Sequence, residues 1–328
     1  MPKILIIGDT SGSPDEGMKK ASKELSHLLD LSMNVRLASV ADILRNTVSF
    51  RKIDIIHYMA GPSWRSFFYA FFLKQILGRK AKTIISFIHP KWSILAGVFF
   101  RVFKPDAVIV QSRKWKQYCH DSGVLMSDEL MLGVNLKKFS PVSIEQRNEI
   151  RKLLNLPLDK KILLHVGHLN PGRNLSLMTR FKEDRDVLPV VIGSTTVCPD
   201  TKIVNSLEDA GVKIIHEYLD NIEMFYQAAD CYIFPVVDPH CCIQIPLSVL
   251  EALACGIPTV ATRFEGLPYF LPNEFPGLNY LDDPATIHAS VQHLLCSNVK
   301  PDPEMLHEFS WNRIVTKLEG FYQRILTS

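Results

Sequence analysis

Short apolar segments alternate with helical segments along nearly the whole chain, and this alternation constrains the fold most. Segments such as Lys3–Ile7 and Ile162–Val166 are continuously apolar, which is typical of parallel sheets covered by helices on both faces. Such segments form two series, one on each side of about residue 150, and predict two doubly wound domains that bind ligands at the carboxyl ends of their strands. The other predicted strands are Val35–Ala38, Ile53–Tyr58, Thr83–Ile88, Ala107–Gln111, Val187–Ile192, Lys213–Ile215, Cys231–Phe234 and Pro258–Ala261.

Length and composition agree with this interpretation. The 328 residues suit two domains, and 47% hydrophobic with 22% charged residues excludes a disordered chain. The start, MPKILIIGDT, predicts no signal peptide, and apolar runs such as Ile94–Phe100 are too short to span a membrane. Seven cysteines without regular spacing indicate reduced thiols. These features predict a cytoplasmic protein.

Charge is distributed unevenly along the chain. Residues 1–140 hold 21 Lys and Arg against 11 Asp and Glu, whereas the remainder holds 16 against 23. No acidic residue lies between Asp54 and Asp106, although eight basic residues do: Arg65, Lys74, Arg79, Lys80, Lys82, Lys91, Arg101 and Lys104. The first half is therefore expected to meet anions.

The acid-free segment 55–105 has two interpretations. Ser63–Lys82 and Lys91–Pro105 combine Trp and Phe with basic residues, as a surface that lies on anionic lipid would. The same pattern fits two core-packed helices with basic edges. Nucleic acid is not an expected partner, because the basic residues lie among apolar ones and not in a polar stripe.

The segment Pro246–Ala261 combines an apolar run with one carboxylate. Pro246 suits the first turn of a helix, Gly256 ends it, and Pro258–Ala261 follows as a buried strand. Glu251 would then lie on a short helix at the mouth of the second sheet. Its carboxylate could accept two hydrogen bonds from the hydroxyls of a ribose, or it could be an ordinary surface residue.

Five motifs in the same order carry a resemblance to a known family. PLSVLEALACGIPTVATRFEGLP resembles the retaining, nucleotide-sugar-dependent enzymes of glycosyltransferase family 4, also called glycosyl transferases group 1. The others are LGVNLKKFSP (Leu132–Pro141), HVGHLNPGRN (His165–Asn174), IEMFYQAADCYIFP (Ile222–Pro235) and FSWNRIVTKLEGFY (Phe309–Tyr322).

The resemblance implies the GT-B fold of two Rossmann-like domains with a cleft between them. Residues 1–145 would form the acceptor-side domain, 146–308 the nucleotide-sugar domain, and 309–328 a helix that packs back on the first. It implies a retaining, metal-independent hexosyltransferase with a UDP- or GDP-sugar donor and no other cofactor. The acceptor would be a lipid-linked or cell-envelope glycan, made by a cytoplasmic enzyme at the inner face of the membrane.

The resemblance also assigns donor-side residues. Glu251 would bind the ribose, and Arg173, at the position of the family's Lys, would bind the diphosphate beside Gly167. His168 replaces the family's Arg and would assist Arg173. Further backbone N–H groups for the phosphates would come from Leu247 and Ser248.

Acceptor-side residues are assigned in the first domain. His89 matches the family's strand-end His that faces the reacting sugar, and with Arg173 and Glu251 it completes the predicted catalytic set. Gly17 is the one residue of the Asp9–Gly17 loop that matches the family's Gly-Gly loop beside the sugar, and the resemblance assigns it to donor binding. His57 either packs in the core or lines the acceptor side.

One departure weakens the match. Ile243 stands where the family has a Glu that contacts the donor sugar, and an isoleucine cannot hydrogen-bond a hydroxyl. Asp238 or His240 would have to take over that contact. Without a replacement, the chain could be a nucleotide-sugar-binding protein that lacks transferase activity, and a sugar-nucleotide epimerase is a weaker alternative.

Two further groups are predicted to be structural. Cys231, His240, Cys241 and Cys242 fit poorly around one tetrahedral zinc ion, so buried thiols and a loop His are expected. Asp230, at an Ala-Asp helix end, is expected to satisfy a turn.

Overall fold

The computed structural model describes residues 1–8, 17–45, 52–89, 91–297 and 299–328. The chain divides into two compact units. The first comprises Met1–Gly133, Ile243–Ile245 and Trp311–Ser328, and the second comprises Val134–Cys242 and Pro246–Ser310. The division at Gly133 precedes the predicted boundary at residue 145, and the one at Ser310 lies next to the predicted boundary at 308. Most of the predicted Asp9–Gly17 loop lies outside the described residues.

The first unit contains a parallel six-stranded sheet in the order β2-β1-β3-β4-β5-β6. Helices follow the strands as the alternation predicts. The elements are β1 (Lys3–Ile7), α1 (Gly17–Asp30), β2 (Asn34–Ala38), α2 (Val40–Leu44), β3 (Ile55–Gly61), α3 (Trp64–Leu77), β4 (Lys82–Phe87), α4 (Ile94–Val102), β5 (Ala107–Val110), α5 (Arg113–Asp121) and β6 (Met126–Glu129).

The second unit repeats the architecture with another strand order, β12-β11-β10-β7-β8-β9, and all its pairs are also parallel. The order in which the chain adds strands to this sheet reverses between β7 and β10, as in a Rossmann fold. The elements are α6 (Ile144–Leu153), β7 (Lys161–Gly167), β8 (Val187–Gly193), α7 (Thr201–Asp209), β9 (Lys213–Ile215), α8 (Glu223–Ala228), β10 (Cys231–Phe234), α9 (Leu247–Ala254), β11 (Thr259–Thr262), α10 (Leu267–Phe270), β12 (Leu278–Leu281) and α11 (Ile287–Cys296).

The last helix, α12 (Trp311–Thr327), belongs to the first unit and is buried along one face. The hydroxyl of Tyr322 lies 2.7 Å from Nδ1 of His57, whose Nε2 lies 2.7 Å from Oγ of Ser86. Burial lowers the pKa of His57 to about 3. His57 is therefore a neutral core residue that ties α12 to strands β3 and β4.

Helix starts in the first unit follow ordinary capping chemistry. Ser63, Ser93 and Ser112 precede α3, α4 and α5, and each side-chain oxygen accepts a backbone N–H from the first turn. Such caps satisfy donors that a helix leaves unpaired, and removing one costs about 1 kcal/mol. Serine at these positions therefore fixes where the helices begin.

Asp230 is structural, as predicted. Its carboxylate accepts hydrogen bonds from Arg151 at 2.6 Å and from the backbone N–H of Ile162 at 2.8 Å. Arg151 is itself buried and also donates to Ala228. This buried ion pair joins α6 to the start of β7.

All ten predicted strands are present, with ends shifted by three residues or fewer. The pattern missed β6 and β12, which lie at sheet edges and carry polar residues within four-residue segments. Within the described ranges, no helix is both long and apolar enough to cross a membrane.

Candidate functional site

The reversal of strand order in the second sheet brings the ends of β7 and β10 together. His165, near the end of β7, places Nδ1 at 2.8 Å from the carbonyl oxygen of Ile233 on β10. β7 ends at Gly167, and the half-buried His168 follows it. In open α/β sheets, ligands bind at such a reversal, at the carboxyl ends of the strands.

Arg173 lies directly against the end of β7. It closes a short 3-10 helix, Pro171–Arg173, and is only 6% exposed. A methyl group added at Gly167 would lie 2.7 Å from Nη1 of Arg173, so the guanidinium rests on the glycine backbone. Asn174, in the left-handed region at φ 54°, donates from Nδ2 to the carbonyl oxygen of Pro235. The structure thus brings Arg173 and Gly167 together, as the sequence predicted.

The guanidinium is not saturated by protein contacts. Nε of Arg173 is buried and has no hydrogen-bond partner among the described residues. A buried charged donor without a partner is costly, and an anion would satisfy it. The arrangement therefore presents fixed positive charge at the strand ends.

His165 is a site residue that the sequence analysis did not identify. Burial, and to a lesser degree the charge of Arg173, lowers its pKa to about 3, while the contact with Ile233 opposes the shift. The neutral ring donates from Nδ1 to Ile233, which leaves Nε2 as an acceptor, and within the described structure Nε2 has no partner. Nε2 lies 3.0 Å from the missing Cβ position of Gly167, beside the guanidinium. The available signal was a histidine inside an otherwise apolar strand.

Two tyrosines connect this group to α9. The ring of Tyr232 stacks on His165 at 6.3 Å and lies 5.7 Å from the ring of Tyr226. Tyr226 donates its hydroxyl to Oε2 of Glu251 at 3.0 Å, and Ser248 is hydrogen-bonded to Tyr232. The predicted residues Arg173, Ser248 and Glu251 therefore belong to one continuous group.

Glu251 lies inside the helix that the sequence predicted. The carboxylate is 8% exposed, and burial together with its negative charge raises the pKa of Tyr226, so the phenol remains a donor. Leu247 and Ser248 form the first turn of α9, after Pro246, where backbone N–H groups and the helix dipole favour an anion. The helix thus offers donors at its start and a carboxylate one turn later.

Asp238 and His240, the proposed replacements for the missing Glu, occupy a loop after β10. Asp238 accepts the backbone N–H of His240 at 2.9 Å, and this bond lowers the pKa of Asp238. A methyl group at Gly172 would lie 3.1 Å from Oδ2 of Asp238 and 2.0 Å from Sγ of Cys241. Asp238 therefore lies next to the Arg173 loop, whereas the side chain of His240 is exposed.

No metal centre forms around the cysteines in the part of the chain that the structure describes. No group of three or more His, Cys, Asp or Glu there is arranged to hold an ion. Cys231 is a buried strand residue, and none of the seven cysteines forms a disulfide.

The first unit places its predicted residues separately. Gly17 begins α1, and the half-buried His89 follows β4. Next to His89, the carbonyl oxygen of Ile88 accepts the backbone N–H of Gln244 at 2.9 Å. Ile243, half-buried, directly precedes Gln244 in the same unit.

Two buried amides in the first unit escaped the sequence analysis. Gln244 and Gln111 are each 1% exposed. Both amide atoms of Gln244, and Oε1 of Gln111, have no partner among the described residues. Gln111 follows β5, so both amides lie near strand ends of the first sheet. Burial of this kind has no sequence signal of its own.

Known proteins match this chain most clearly in its second unit. Residues 160–297 match the family described as Glycosyl transferases group 1. The match contains the Arg173 loop, both tyrosines and α9, so the group 1 segment coincides with the site described above.

Relatives with curated functions are distant. The D-inositol 3-phosphate glycosyltransferase of Mycolicibacterium smegmatis is 26% identical over 223 residues, which cover 63% of this chain and 50% of that protein. The N,N'-diacetylbacillosaminyl-diphospho-undecaprenol alpha-1,3-N-acetylgalactosaminyltransferase of Campylobacter jejuni is 28% identical over 152 residues, 45% of this chain and 39% of that protein. The chain thus spans half the length or less of these two relatives.

A solved structure extends the likeness to the whole chain. The Anabaena protein Alr3699/HepE, in complex with UDP and glucose, matches with a TM-score of 0.73 at 14% identity and covers 99% of this chain and 100% of that one. At this identity the likeness concerns the fold. It confirms the predicted GT-B class with two Rossmann-like domains.

Proposed function

We propose that the protein is a glycosyltransferase that moves a sugar from a nucleotide-diphosphate sugar to an acceptor hydroxyl. The donor binds to the second unit, at the ends of β7 and β10. The observation that carries the proposal is the guanidinium of Arg173, held on Gly167 with a buried Nε that has no hydrogen-bond partner among the residues that the structure describes.

The charge of Arg173 suits the chemistry of the leaving group. Breaking the sugar–phosphate bond leaves negative charge on the diphosphate, and preorganised donors stabilise that charge as it develops. A guanidinium binds phosphate oxygens in a bidentate manner, and the first turn of α9 adds backbone donors from Leu247 and Ser248. His168 is the remaining candidate for a contact to the diphosphate.

Glu251 supplies the nucleoside contact. Tyr226 donates to one oxygen of its carboxylate, which orients the group toward the hydroxyls of a ribose. Asp238, beside Gly172, is the better candidate than His240 for the sugar contact that Ile243 cannot make. UDP-sugars come first among donors, because the Anabaena structure contains UDP and glucose.

The finer features follow the family resemblance. Transfer retains the anomeric configuration and needs no metal, as the resemblance implies. The leaving diphosphate accepts the proton of the acceptor hydroxyl, so no strong side-chain base is required. His89 stands where the family has a histidine that faces the reacting sugar. The acceptor is a lipid-linked glycan of polysaccharide or glycolipid synthesis, supported by the diphospho-undecaprenol in the name of the Campylobacter relative.

A thermal-shift panel of UDP-, GDP- and ADP-sugars tests donor binding, since a ligand that binds only the native state raises Tm. One class should raise Tm, and Arg173→Ala should abolish that shift. Arg180→Ala is the matched control. Arg180 is exposed, and its guanidinium donates to the carbonyl oxygens of Pro284 and Ala285. If no donor shifts Tm, or if both variants lose the shift, the proposed site is wrong.

Donor hydrolysis then tests the chemistry. Slow release of sugar that depends on Arg173 and Glu251, that EDTA leaves unchanged, and whose first-formed anomer retains configuration by NMR would support the mechanism. Inversion at the anomeric carbon would refute the retaining assignment.

Ile243 favours a second candidate, a nucleotide-sugar-binding protein without transferase activity. That protein would shift in Tm with a donor but would neither hydrolyse nor transfer the sugar. Turnover that Asp238→Ala abolishes without loss of donor binding would exclude it.

A further inference from the structure

The outward face of α4 is apolar, which is unusual for a surface helix. Ile94 is 92% exposed and Val102 is 65% exposed, and Leu95 and Val98 lie between them on the same face. The opposite face, with Ala96 and Phe100, is buried against the sheet. Arg101 is the one charged residue of this helix, and its other exposed side chains are apolar.

Helix α3 continues this surface. Rings of Phe68 and Phe71 contact Phe103, so the two helices pack side by side. On the outside, Phe71, Phe72 and Ile76 are all exposed. We name these exposed apolar side chains of α3 and α4, with the basic residues around them, the α3–α4 surface. A continuous apolar surface of this kind indicates an interaction site.

The charged residues that accompany these apolar side chains are basic, and Gln75 is an exposed neutral neighbour on α3. Arg65, Arg79, Lys91, Arg101 and Lys104 are exposed, and no acidic residue occurs between Asp54 and Asp106. Asp106 is bound to Lys74 at 2.8 Å. The surface therefore attracts anions along its whole length.

A cavity of about 300 Å³ opens between the two helices. Lys74, Arg101 and Lys104 line it together with the apolar side chains of Phe71, Val102 and Phe103. Because Asp106 already pairs with Lys74, Arg101 and Lys104 supply the remaining positive charge of the cavity. Cations beside apolar walls match a phosphate attached to a hydrocarbon chain.

We propose that the α3–α4 surface binds anionic phospholipid bilayers, with a lipid phosphate in the cavity between the helices. Ile94, Phe72 and Val102 enter the interface while the basic side chains contact the headgroups. The inference deepens the proposed function and rests on it only for its purpose, because a lipid-linked acceptor is presented at a membrane. Binding itself requires no sugar transfer.

Charge favours a membrane over a second copy of the chain. Two copies joined through this surface would bring the same basic residues face to face, and the segment has no acidic residue to neutralise them. Each basic residue near an anionic bilayer is instead attracted to it. The core-packing interpretation of the sequence explains Phe67 and Phe100, which are buried, but not the exposed face.

Vesicle flotation tests the proposal with the full chain. Wild type should float with phosphatidylcholine vesicles that contain about one third phosphatidylglycerol, but not with phosphatidylcholine alone, and binding should fall when salt rises from ~50 to ~500 mM. Ile94→Asp with Val102→Asp should lower the bound fraction at least about tenfold, as should Arg101→Glu with Lys104→Glu.

Matched controls make the same changes elsewhere. Leu125→Asp with Leu153→Asp replaces side chains that are 79% and 71% exposed, and Lys182→Glu with Lys202→Glu alters net charge equally. Both controls should bind vesicles like wild type. The proposal is overturned if wild type does not float with anionic vesicles at low salt, or if controls and test variants lose binding equally.

Two further measurements separate neighbouring explanations. Light scattering measures molar mass and would detect a dimer that Ile94→Asp dissociates. Such a dimer, together with no vesicle binding, would mean that the α3–α4 surface binds a second copy of the chain and not lipid. Donor-induced Tm shifts should be unchanged in all these variants. Vesicle binding without any donor shift would therefore refute the proposed function and leave the surface intact.

Discussion

The two units share a parallel six-stranded sheet but place their polar groups differently. In the second unit, Arg173, His165 and Glu251 form a continuous group with two tyrosines at one end of the sheet. In the first unit, the buried side-chain oxygens of Gln111 and Gln244 lie near strand ends with no hydrogen-bond partner among the described residues, and the charges lie outside, on α3 and α4.

Strand order does not explain the difference, because the first sheet also reverses once, between β1 and β3. The residues at the strand ends and on the helices explain it. The second sheet reverses between β7 and β10, so two strand ends and the start of α9 can hold one anion. The first unit uses its helices for a larger, flatter surface. One architecture thus supports a compact site for a small charged ligand in one unit and an extended surface in the other.

The largest expected effect is on catalysis, to which Arg173 of the second unit should contribute more than His89 of the first unit. Arg173→Ala should lower kcat/KM by about 10²–10³, as the removal of one preorganised donor does elsewhere. If His89 has the role that the family resemblance implies, His89→Ala should cost about tenfold. Steady-state kinetics with the donor identified by thermal shift would measure both. A larger loss for His89 would move the main electrostatic role to the first unit.

Replacing a glycine by alanine should lower the free energy of unfolding at Gly172 in the second unit and raise it at Gly97 in the first unit. Gly172→Ala places a methyl group 2.0 Å from Sγ of Cys241 and should lower the free energy of unfolding by about 2 kcal/mol. Gly97→Ala, in α4, meets nothing closer than 3.9 Å and should raise it by about 0.5–1 kcal/mol. Urea denaturation would compare them.

Cys241 provides the control for the close contact. Cys241→Ala removes the sulfur that the new methyl group would meet, so it should restore most of the stability of Gly172→Ala. If the double variant is as unstable as the single one, the Asp238–Cys241 loop does not pack on Gly172 as described.

Acid should destabilise each unit through one buried histidine. His57 and His165 have pKa values of about 3, against about 6.5 in the unfolded chain, so the unfolded state takes up protons first as pH falls. Their stabilising contribution is complete above pH ~6.5 and decreases toward pH 3, by ~2 kcal/mol for each residue at pH 5. The free energy of unfolding should therefore fall between pH 7 and pH 5. His57→Gln should remove the part of that fall that comes from the first unit, as measured by urea denaturation at both pH values. An unchanged slope would contradict the burial of His57.

The smallest expected effect concerns the unpartnered amides. Gln244→Met and Gln111→Met remove buried polar groups of similar size and should leave the free energy of unfolding unchanged or higher by up to ~1 kcal/mol. Donor turnover should fall about fivefold in Gln244→Met only, if that amide contacts the sugar that Ile243 cannot. Equal turnover in both variants would make Gln244 structural.

Sequence patterns predicted ten of the twelve described strands and missed two of the four edge strands, β6 and β12. β6 (Met126–Glu129) has no apolar run, and its residues are only half-buried, so hydrophobicity does not reveal it. β12 contains an interrupting Asn279. Edge strands pair on one side only, and burial therefore constrains their sequence less.

The candidate site was predictable where a motif specifies the chemistry and not where burial specifies it. Arg173, Ser248 and Glu251 were found because charged or polar residues at fixed spacing suggest a nucleotide. His165 and Gln244 were missed, because nothing in the sequence states that a neighbour will remove their water. The choice between Asp238 and His240 likewise needed the contact with Gly172.

The chain path described for the two units limits how the protein can be divided. The first unit is assembled from three separate stretches, so the backbone passes from one unit to the other four times. A fragment that ends at Gly133 lacks α12 and deprives His57 of its contact with Tyr322. The boundary at Gly133 is therefore a poor place to cut, and domain exchange with another glycosyltransferase would have to carry three segments together.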